Sequence, residues 1–416
     1  MLSKYSSKPI KLAVFLEQKI QIGGGYQQAL NSILFVNNLP KDVCESTFIV
    51  TDKENIETLS NYGINSIYLK ISIFSKVFMA LRSRIYIPIS IRWIHNLLGD
   101  SYVEIFLDKL KIDLIYFTSP SSLPKYFSKY NYIYTVWDLS HRDEMEFPEV
   151  RNNFVFERRE ELNKSILPKS TVILVDSEVG ADNLVRRYGV DKNRVLVMPF
   201  SPAENTMVSD IDYENNFIDI KNKYKMKSDY LFYPAQFWPH KNHIYILKAL
   251  KKLQEKYNIR IGAIFSGSDK GNRHYIQDSV DELELSDRVV FTGFVSNTEM
   301  RYLYRQSFAL AMPSYFGPTN LPPLEAFQLG VPVIYGDITG AREQLRDAAI
   351  FVDLSSYHSL CDAVVTLQND AVRNEMVGKG FKQLEYINNK RSKAEEEFKK
   401  VIKKYNNLSD CWMSPF

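Results

Sequence analysis

The chain has 416 residues, 45% hydrophobic and 24% charged, with 52 Lys and Arg against 49 Asp and Glu for a formal net charge of +3. That length and composition predict a globular protein of two or three domains, and the near balance of charge excludes wholesale nucleic-acid binding. The three cysteines, Cys44, Cys361 and Cys411, are far apart and odd in number, which excludes a disulfide framework or a cysteine-rich zinc site and fits a reducing cytoplasm.

No apolar run fit for a signal peptide opens the chain, and no segment reaches the roughly 18 uncharged residues of a membrane span, so the chain is expected to be neither exported nor inserted. Apolar runs rich in β-branched residues at 12–16, 47–50, 66–69, 114–117, 132–136, 172–175 and 195–198 read as strands. Between 71 and 98, Ile, Phe, Trp and Tyr interleave with Lys76, Arg82, Arg84 and Arg92. That composition suits a surface resting on anionic lipid, and equally a pair of core helices with basic outer faces. Six more strands are expected at 230–234, 259–265, 289–292, 308–312, 333–335 and 350–352. The runs lack polar alternation and are separated by helix-length segments, the pattern of parallel sheets covered on both faces. Pro, Ser and Asn at 200–207, followed by the polar segment 209–227, read as a linker between two doubly wound α/β domains. The expected division is 1–205, 206–390 and a terminal helix at 391–416 that packs back toward the first domain.

In open parallel sheets ligands bind at the carboxyl ends of the strands, so the loops just after strands carry the argument. Gly23, Gly24 and Gly25 follow the first strand and precede a helix expected from about Gln27. They allow close backbone approach to a ligand, but form neither a dinucleotide fingerprint nor a P-loop. After the fifth strand come Trp137, Asp138 and His141, where Asp138 could hold the imidazole in one tautomer or accept a hydroxyl, or could cap the next helix beside a structural histidine. No Gly-x-Ser-x-Gly elbow accompanies them. After 230–234, Lys241 stands at a helix N-terminus, where a cation opposes the dipole unless an anion also lies there. His240 and His243 flank it without an evident carboxylate partner and read as polar loop residues. Gly267 and Gly293, on the same rim, leave room for a planar base or a ribose.

The stretch from Ser314 to Tyr335 reads as loop, helix and strand. Asn320 is a good N-cap, Pro322 and Pro323 suit a first turn, and Gly330 stops the helix. Such a helix start offers free N–H groups and a positive dipole end to a phosphate. Because prolines have no N–H, the donors are expected around Asn320 and Leu321 and from Leu324 onward, with Glu325 one turn inside to accept from a sugar hydroxyl.

Asn320 to Phe327 with Gly330 to Ile334, supported by Pro239 to Asn242 and by Phe291 to Val295, resemble a retaining, nucleotide-sugar-dependent glycosyltransferase of the GT-B type, in the large group 1 or family 4 set that includes many bacterial polysaccharide and lipid glycosyltransferases. The resemblance implies two Rossmann-like domains facing each other across a cleft, the first binding acceptor and the second the nucleotide-sugar. It implies that Glu325 binds the ribose, that Lys241 binds the donor diphosphate, and that Gly23, Gly24 and Gly25 close on the donor. Gly267, Gly293, Phe294, Val295, Gly317, Thr319, Asn320 and Leu321 complete the expected donor site. Three positions depart from the family pattern. Gly317 stands where the sugar-contacting glutamate of the Glu-x7-Glu motif falls, Gln236 replaces a phosphate-binding arginine, and Trp137-Asp138 replaces His-Asp, with a histidine only at His141. The implied reaction transfers a sugar, with mannose suggested, from a UDP- or GDP-linked donor to a hydroxyl of a glycan or lipid-linked acceptor, as in O-antigen or lipopolysaccharide assembly. Asp138 and His141 would orient the acceptor, and neither cofactor nor metal is implied. The enzyme would be cytoplasmic, contacting the inner membrane surface through 71–98. A catalytically silent subunit or a sugar-nucleotide epimerase of the same architecture are the alternatives.

Overall fold

The computed structural model describes residues 9–18, 23–72, 101–202, 217–317 and 319–412. Most of the aromatic and basic stretch at 71–98, much of the expected linker, and Pro318 lie outside the described residues. Each expected strand is present. The first sheet contains β1 (Ile10–Leu16), β2 (Cys44–Val50), β3 (Ser66–Tyr68), β4 (Leu114–Phe117), β5 (Asn131–Thr135), β6 (Val172–Val175) and β7 (Val195–Val197). They run in the order β3-β2-β1-β4-β5-β6-β7, all parallel. The second contains β8 (Tyr230–Pro234), β9 (Gly262–Ser266), β10 (Val289–Gly293), β11 (Ala309–Met312), β12 (Val333–Gly336) and β13 (Ala349–Val352), in the parallel order β10-β9-β8-β11-β12-β13. Strand order reverses beside β1 and β8, which places switch-point crevices at the loops after those two strands.

Two-sided burial explains why the strands read as unbroken apolar runs. Along β1, Leu12, Val14 and Leu16 enter one core cluster while Ala13 and Phe15 enter another on the opposite face. One boundary moves: β9 begins at Gly262 rather than 259, because the helix His243–Tyr257 ends at Asn258 in the left-handed region, with φ 54°. A Cβ at Gly262 would lie 2.4 Å from the Arg288 carbonyl oxygen, so the strand opens on the residue that permits this approach.

The last helix, Asp370–Ser409, is 40 residues long, roughly 60 Å at 1.5 Å per residue. Met376, Leu384 and Ile387 pack in the core of the second domain, whereas Ala394, Phe398, Ile402 and Tyr405 pack in a core of the first. Arg391, near the crossing point, donates to the Pro199 carbonyl at 2.7 Å and to Glu395 at 2.9 Å. One continuous helix therefore occupies the place of the expected separate segment at 391–416. Phe398 is fully buried, with ring centroids 5.5 Å from Phe35 and 5.4 Å from Tyr116. Phe398→Ala is expected to cost about 3–5 kcal/mol in chemical denaturation, while Leu408→Ala, at an exposed position, changes stability by less than about 0.5 kcal/mol. Equal effects of the two would contradict this packing.

Candidate active site

The helix after β1 begins at Gly23, four residues earlier than expected at Gln27, so the three glycines form its first turn rather than a loop. A Cβ on Gly25 would lie 2.6 Å from the Trp137 indole, and one on Gly24 would lie 3.3 Å from Leu321 Cδ1. The missing side chains thus let this helix start approach both the loop after β5 and Leu321, which opens the helix Leu321–Gln328 of the second domain. Two helix N-termini, each a positive dipole end, meet across the cleft.

The turn before Leu321 differs from expectation. Asn320 occupies the N-cap position in extended conformation, but its side chain makes no capping bond. Its Nδ2 donates instead to the Gly317 carbonyl at 3.1 Å and to the Tyr335 hydroxyl at 2.5 Å. Its backbone N–H donates to Gln344 Oε1 at 3.0 Å, and Gln344 Nε2 donates back to the Asn320 carbonyl at 2.9 Å. The N–H expected to meet a phosphate at Asn320 is therefore already used. Pro322 and Pro323 have no N–H, which leaves that of Leu321 in the first turn. Glu325 lies one turn in, as expected, and is half-buried. Its Oε2 accepts from the Tyr304 hydroxyl at 2.7 Å. Burial pushes its carboxyl upward, and the bond from Tyr304 opposes that rise.

Lys241 closes the 3-10 turn Pro239–Lys241, ahead of the helix His243–Tyr257, with Asn242 between them at φ 55°. It is half-buried, and among the described residues its ammonium makes no hydrogen bond or ion pair. Burial lowers its pKa to about 8, opposed by the charges of Asp138 and Glu149 on the first domain. Behind it, His243 is fully buried among Tyr233, Phe237 and Phe265, at ring-centroid distances of 4.8, 5.1 and 5.0 Å. Burial and then the charge of Lys241 hold this imidazole down at about 3, so it stays neutral.

His240 is no polar loop residue. Its Nδ1 lies 2.5 Å from Glu149 Oε1, the same oxygen accepts the His240 backbone N–H at 3.0 Å, and the ring stacks on Phe316 at 3.8 Å. Burial lowers its pKa to about 4 despite that carboxylate. Glu149 is 91 residues away in sequence, so no local pattern could have revealed the pair.

Gln236 accepts the Trp238 indole N–H at 3.0 Å on Oε1, which leaves its amide N–H groups where the resemblance placed a guanidinium. A Cβ on Gly267 would lie 2.3 Å from the Ala235 carbonyl oxygen and 2.9 Å from the Gln236 nitrogen, and the Gly267 N–H donates to the Gly293 carbonyl at 3.1 Å. Gln236, Gly267 and Gly293 thus come together at the ends of β8, β9 and β10. Phe294 is 77% exposed, whereas the Val295 side chain packs into the core of the second domain.

The expected pair of Asp138 and His141 does not form. Asp138 Oδ1 accepts the Ser140 N–H at 2.9 Å and pairs with the Arg159 guanidinium. Although burial raises its pKa, Arg159 and Ser140 hold the carboxyl down at about 2. The short turn Ser140–Arg142 points the His141 ring inward, where it is fully buried and its Nε2 lies 2.9 Å from Glu160 Oε1. Glu160 also accepts from Arg142 Nε at 2.6 Å and from the Tyr188 hydroxyl at 2.6 Å. His141 is thus a structural residue and cannot reach an acceptor.

Sequence reasoning missed Asp176, just after β6. It is buried, its Oδ1 accepts the Ser177 hydroxyl at 3.0 Å, and its Oδ2 accepts the Thr319 hydroxyl from the second domain. Burial raises its pKa to about 7, opposed by those hydroxyls. Asp138, Asp176, Phe316, Gly317 and Thr339 line one cavity of about 610 Å³ between the domains. Among the described residues no cluster of three His, Cys, Asp or Glu could hold a metal ion. Glu160→Gln removes the carboxylate that pairs with half-buried Arg142 and bonds the buried His141 ring and is expected to cost about 1–3 kcal/mol. Thermal unfolding checks this, and an unchanged Tm would contradict the structural role given to Glu160 and His141.

Residues 214–406 match the model of the family described as glycosyl transferases group 1. The "O-antigen chain mannosyltransferase RfbU" of Salmonella typhimurium is 28% identical over 199 residues, 47% of this chain and 50% of that protein. The "O-antigen chain mannosyltransferase B" of Escherichia coli is 23% identical over 228 residues, 52% of this chain and 57% of that protein. The chain thus spans about half the length of these curated relatives. Across nearly its whole length it superposes on Anabaena HepE, solved with UDP and glucose, at a TM-score of 0.67 with 15% identity, covering 95% of this chain and 99% of that one. The chain therefore has the GT-B fold, and its second domain carries the match to the group 1 glycosyltransferases.

Proposed function

We propose that the protein is a retaining hexosyltransferase that moves a sugar from a nucleoside-diphosphate-sugar to a hydroxyl of a growing, lipid-linked surface glycan. The observation that carries this reading is the ammonium of Lys241: half-buried, unpaired, set at a helix N-terminus and felt by Asp138 of the opposite domain. A cation in that position opposes the helix dipole and its own desolvation, and a bound diphosphate removes both conflicts. The names of the Salmonella and Escherichia relatives support a surface-glycan acceptor and make GDP-mannose the first donor to test.

In this reading the diphosphate lies between Lys241 and the paired helix starts at Gly23 and Leu321, which stabilise charge as it develops on the leaving group. No metal is assigned to that task. Glu325, its Oε2 held by Tyr304, accepts from the ribose, and Gly267 and Gly293 admit the base. The acceptor hydroxyl attacks from the face the diphosphate leaves, and the departing phosphate oxygen takes its proton, so the new bond retains the anomeric configuration. Asp138, held ionised by Arg159, is too weak a base to remove that proton and instead accepts a hydrogen bond from the acceptor. A lipid-linked acceptor places the enzyme in the cytoplasm at the inner membrane face, with the basic and aromatic stretch at 71–98 as the contact. No helix of the described residues is long and apolar enough to cross a membrane.

Lys241→Ala should keep its circular dichroism yet lose roughly 10²- to 10³-fold in kcat, read as nucleoside diphosphate released when GDP-, UDP- or dTDP-sugars are supplied with a lipid-linked acceptor. Unchanged turnover contradicts the assignment. The ammonium is present below its pKa of about 8 and lost above it. The alkaline limb of kcat/KM for the donor should therefore fall from about pH 8, and that of kcat from a higher pH, because bound diphosphate raises the pKa.

A further inference from the structure

We infer that Asp176, in the first domain, supplies the carboxyl group that fixes a hydroxyl of the donor sugar, the contact that Gly317 of the second domain cannot make. The inference rests on the nucleotide-sugar reading above and assigns one of that site's residues.

Gly317 lies in the left-handed region at φ +102°, and a Cβ there would stand 3.1 Å from Asn320 Nδ2. The loop is therefore shaped for glycine, and a carboxylate cannot enter the cleft from this position without rebuilding the turn. Asp176 faces the same cavity as Gly317 from the other side. Its Oδ2 accepts the hydroxyl of Thr319, two residues beyond Gly317, so the carboxyl already reaches across the domain boundary to the motif loop. The cavity's other aspartates are neutralised by guanidinium groups: Asp138 by Arg159, Asp143 by Arg187 and Asp337 by Arg342. Half-buried Glu144 has acidic neighbours, Asp143 and Glu146.

Asp176 differs from these in being buried, at 6% exposure, with no charged group bonded to it among the described residues. Each carboxyl oxygen has two lone pairs, so a sugar hydroxyl can join the Ser177 and Thr319 hydroxyls at the same group. Burial leaves this carboxyl able to donate as well as accept near neutral pH. Because Asp176 belongs to the first domain and Lys241, which holds the diphosphate, to the second, the sugar contact forms only when the two faces are together, which couples donor recognition to closure.

The test uses the full chain and whichever GDP-, UDP- or dTDP-hexose the wild type turns over, the matching free nucleoside diphosphate, and monodeoxy analogues of that sugar nucleotide. Asp176→Ala is expected to lower kcat/KM for the donor roughly 10- to 100-fold, while calorimetric affinity for the free nucleoside diphosphate stays within about twofold. One monodeoxy analogue, poor with wild type, should lose its disadvantage in Asp176→Ala, a cancellation that a merely structural role would not produce. Asp176→Asn keeps the shape and one acceptor oxygen and guards against misfolding; it should fall between wild type and Ala. Equal loss of sugar nucleotide and free nucleotide binding, or deoxy penalties unchanged by either substitution, would overturn the inference while leaving the glycosyltransferase reading intact. A wild type that binds no nucleoside diphosphate would overturn that reading and this one with it.

Discussion

The site depends on a positive charge kept where it is costly. Lys241 is half-buried at a helix start, among groups that add no compensating negative charge within bonding distance, and its pKa falls to about 8 as a result. His243 behind it is neutral in an aromatic cage, and His240 beside it is held down at about 4 by burial. Had either imidazole been protonated, two cations would share one turn. The opposing charges felt among the described residues come from the first domain, from Asp138 and Glu149, so the lysine is balanced in part by the other half of the molecule and is left with capacity for an anion.

The same interface is tied at several points by charged and polar groups. Glu149 receives both the ring and the N–H of His240. Glu343 of the second domain accepts the N–H groups of Glu178 and Val179 at 2.9 and 3.1 Å, capping the helix Glu178–Tyr188 of the first. Lys390 on the long terminal helix stands 3.3 Å from Glu178 and 3.4 Å from Glu343. A carboxylate at a helix N-terminus satisfies donors that would otherwise be exposed to water or a ligand. These contacts are polar and separable, in contrast to the apolar seam formed by Phe398 and its neighbours, which ties the terminal helix into the first domain's core. The two domains are therefore joined by an apolar attachment at the terminal helix and by polar contacts across the cleft.

Most of the fold was legible because parallel strands buried on both faces leave unbroken apolar runs, and all thirteen were read close to their true limits. The positions of Lys241, Glu325 and the helix start at Leu321 in the fold were legible because each breaks or obeys a local rule: a cation at the wrong end of a helix, a carboxylate one turn in, prolines in a first turn. The failures share a cause. His141 with Glu160, His240 with Glu149, and Asp176 with Thr319 are pairs set by tertiary approach, separated by 19, 91 and 143 residues. Sequence proximity instead suggested pairing His141 with Asp138, which in fact bonds Arg159. Asn320 was placed correctly as a cap position, but its N–H was claimed by Gln344, a side chain 24 residues on that no capping rule would nominate.

The most direct measurement is the proton balance of donor binding. A sugar nucleotide whose diphosphate bonds Lys241 should pull the ammonium's pKa upward, so calorimetry at pH 8 in buffers of differing ionisation enthalpy should show uptake of about half a proton per ligand bound. In Lys241→Ala the uptake at pH 8 should vanish. Binding without proton uptake at pH 8, or uptake that survives the substitution, would contradict the placement of the diphosphate on Lys241.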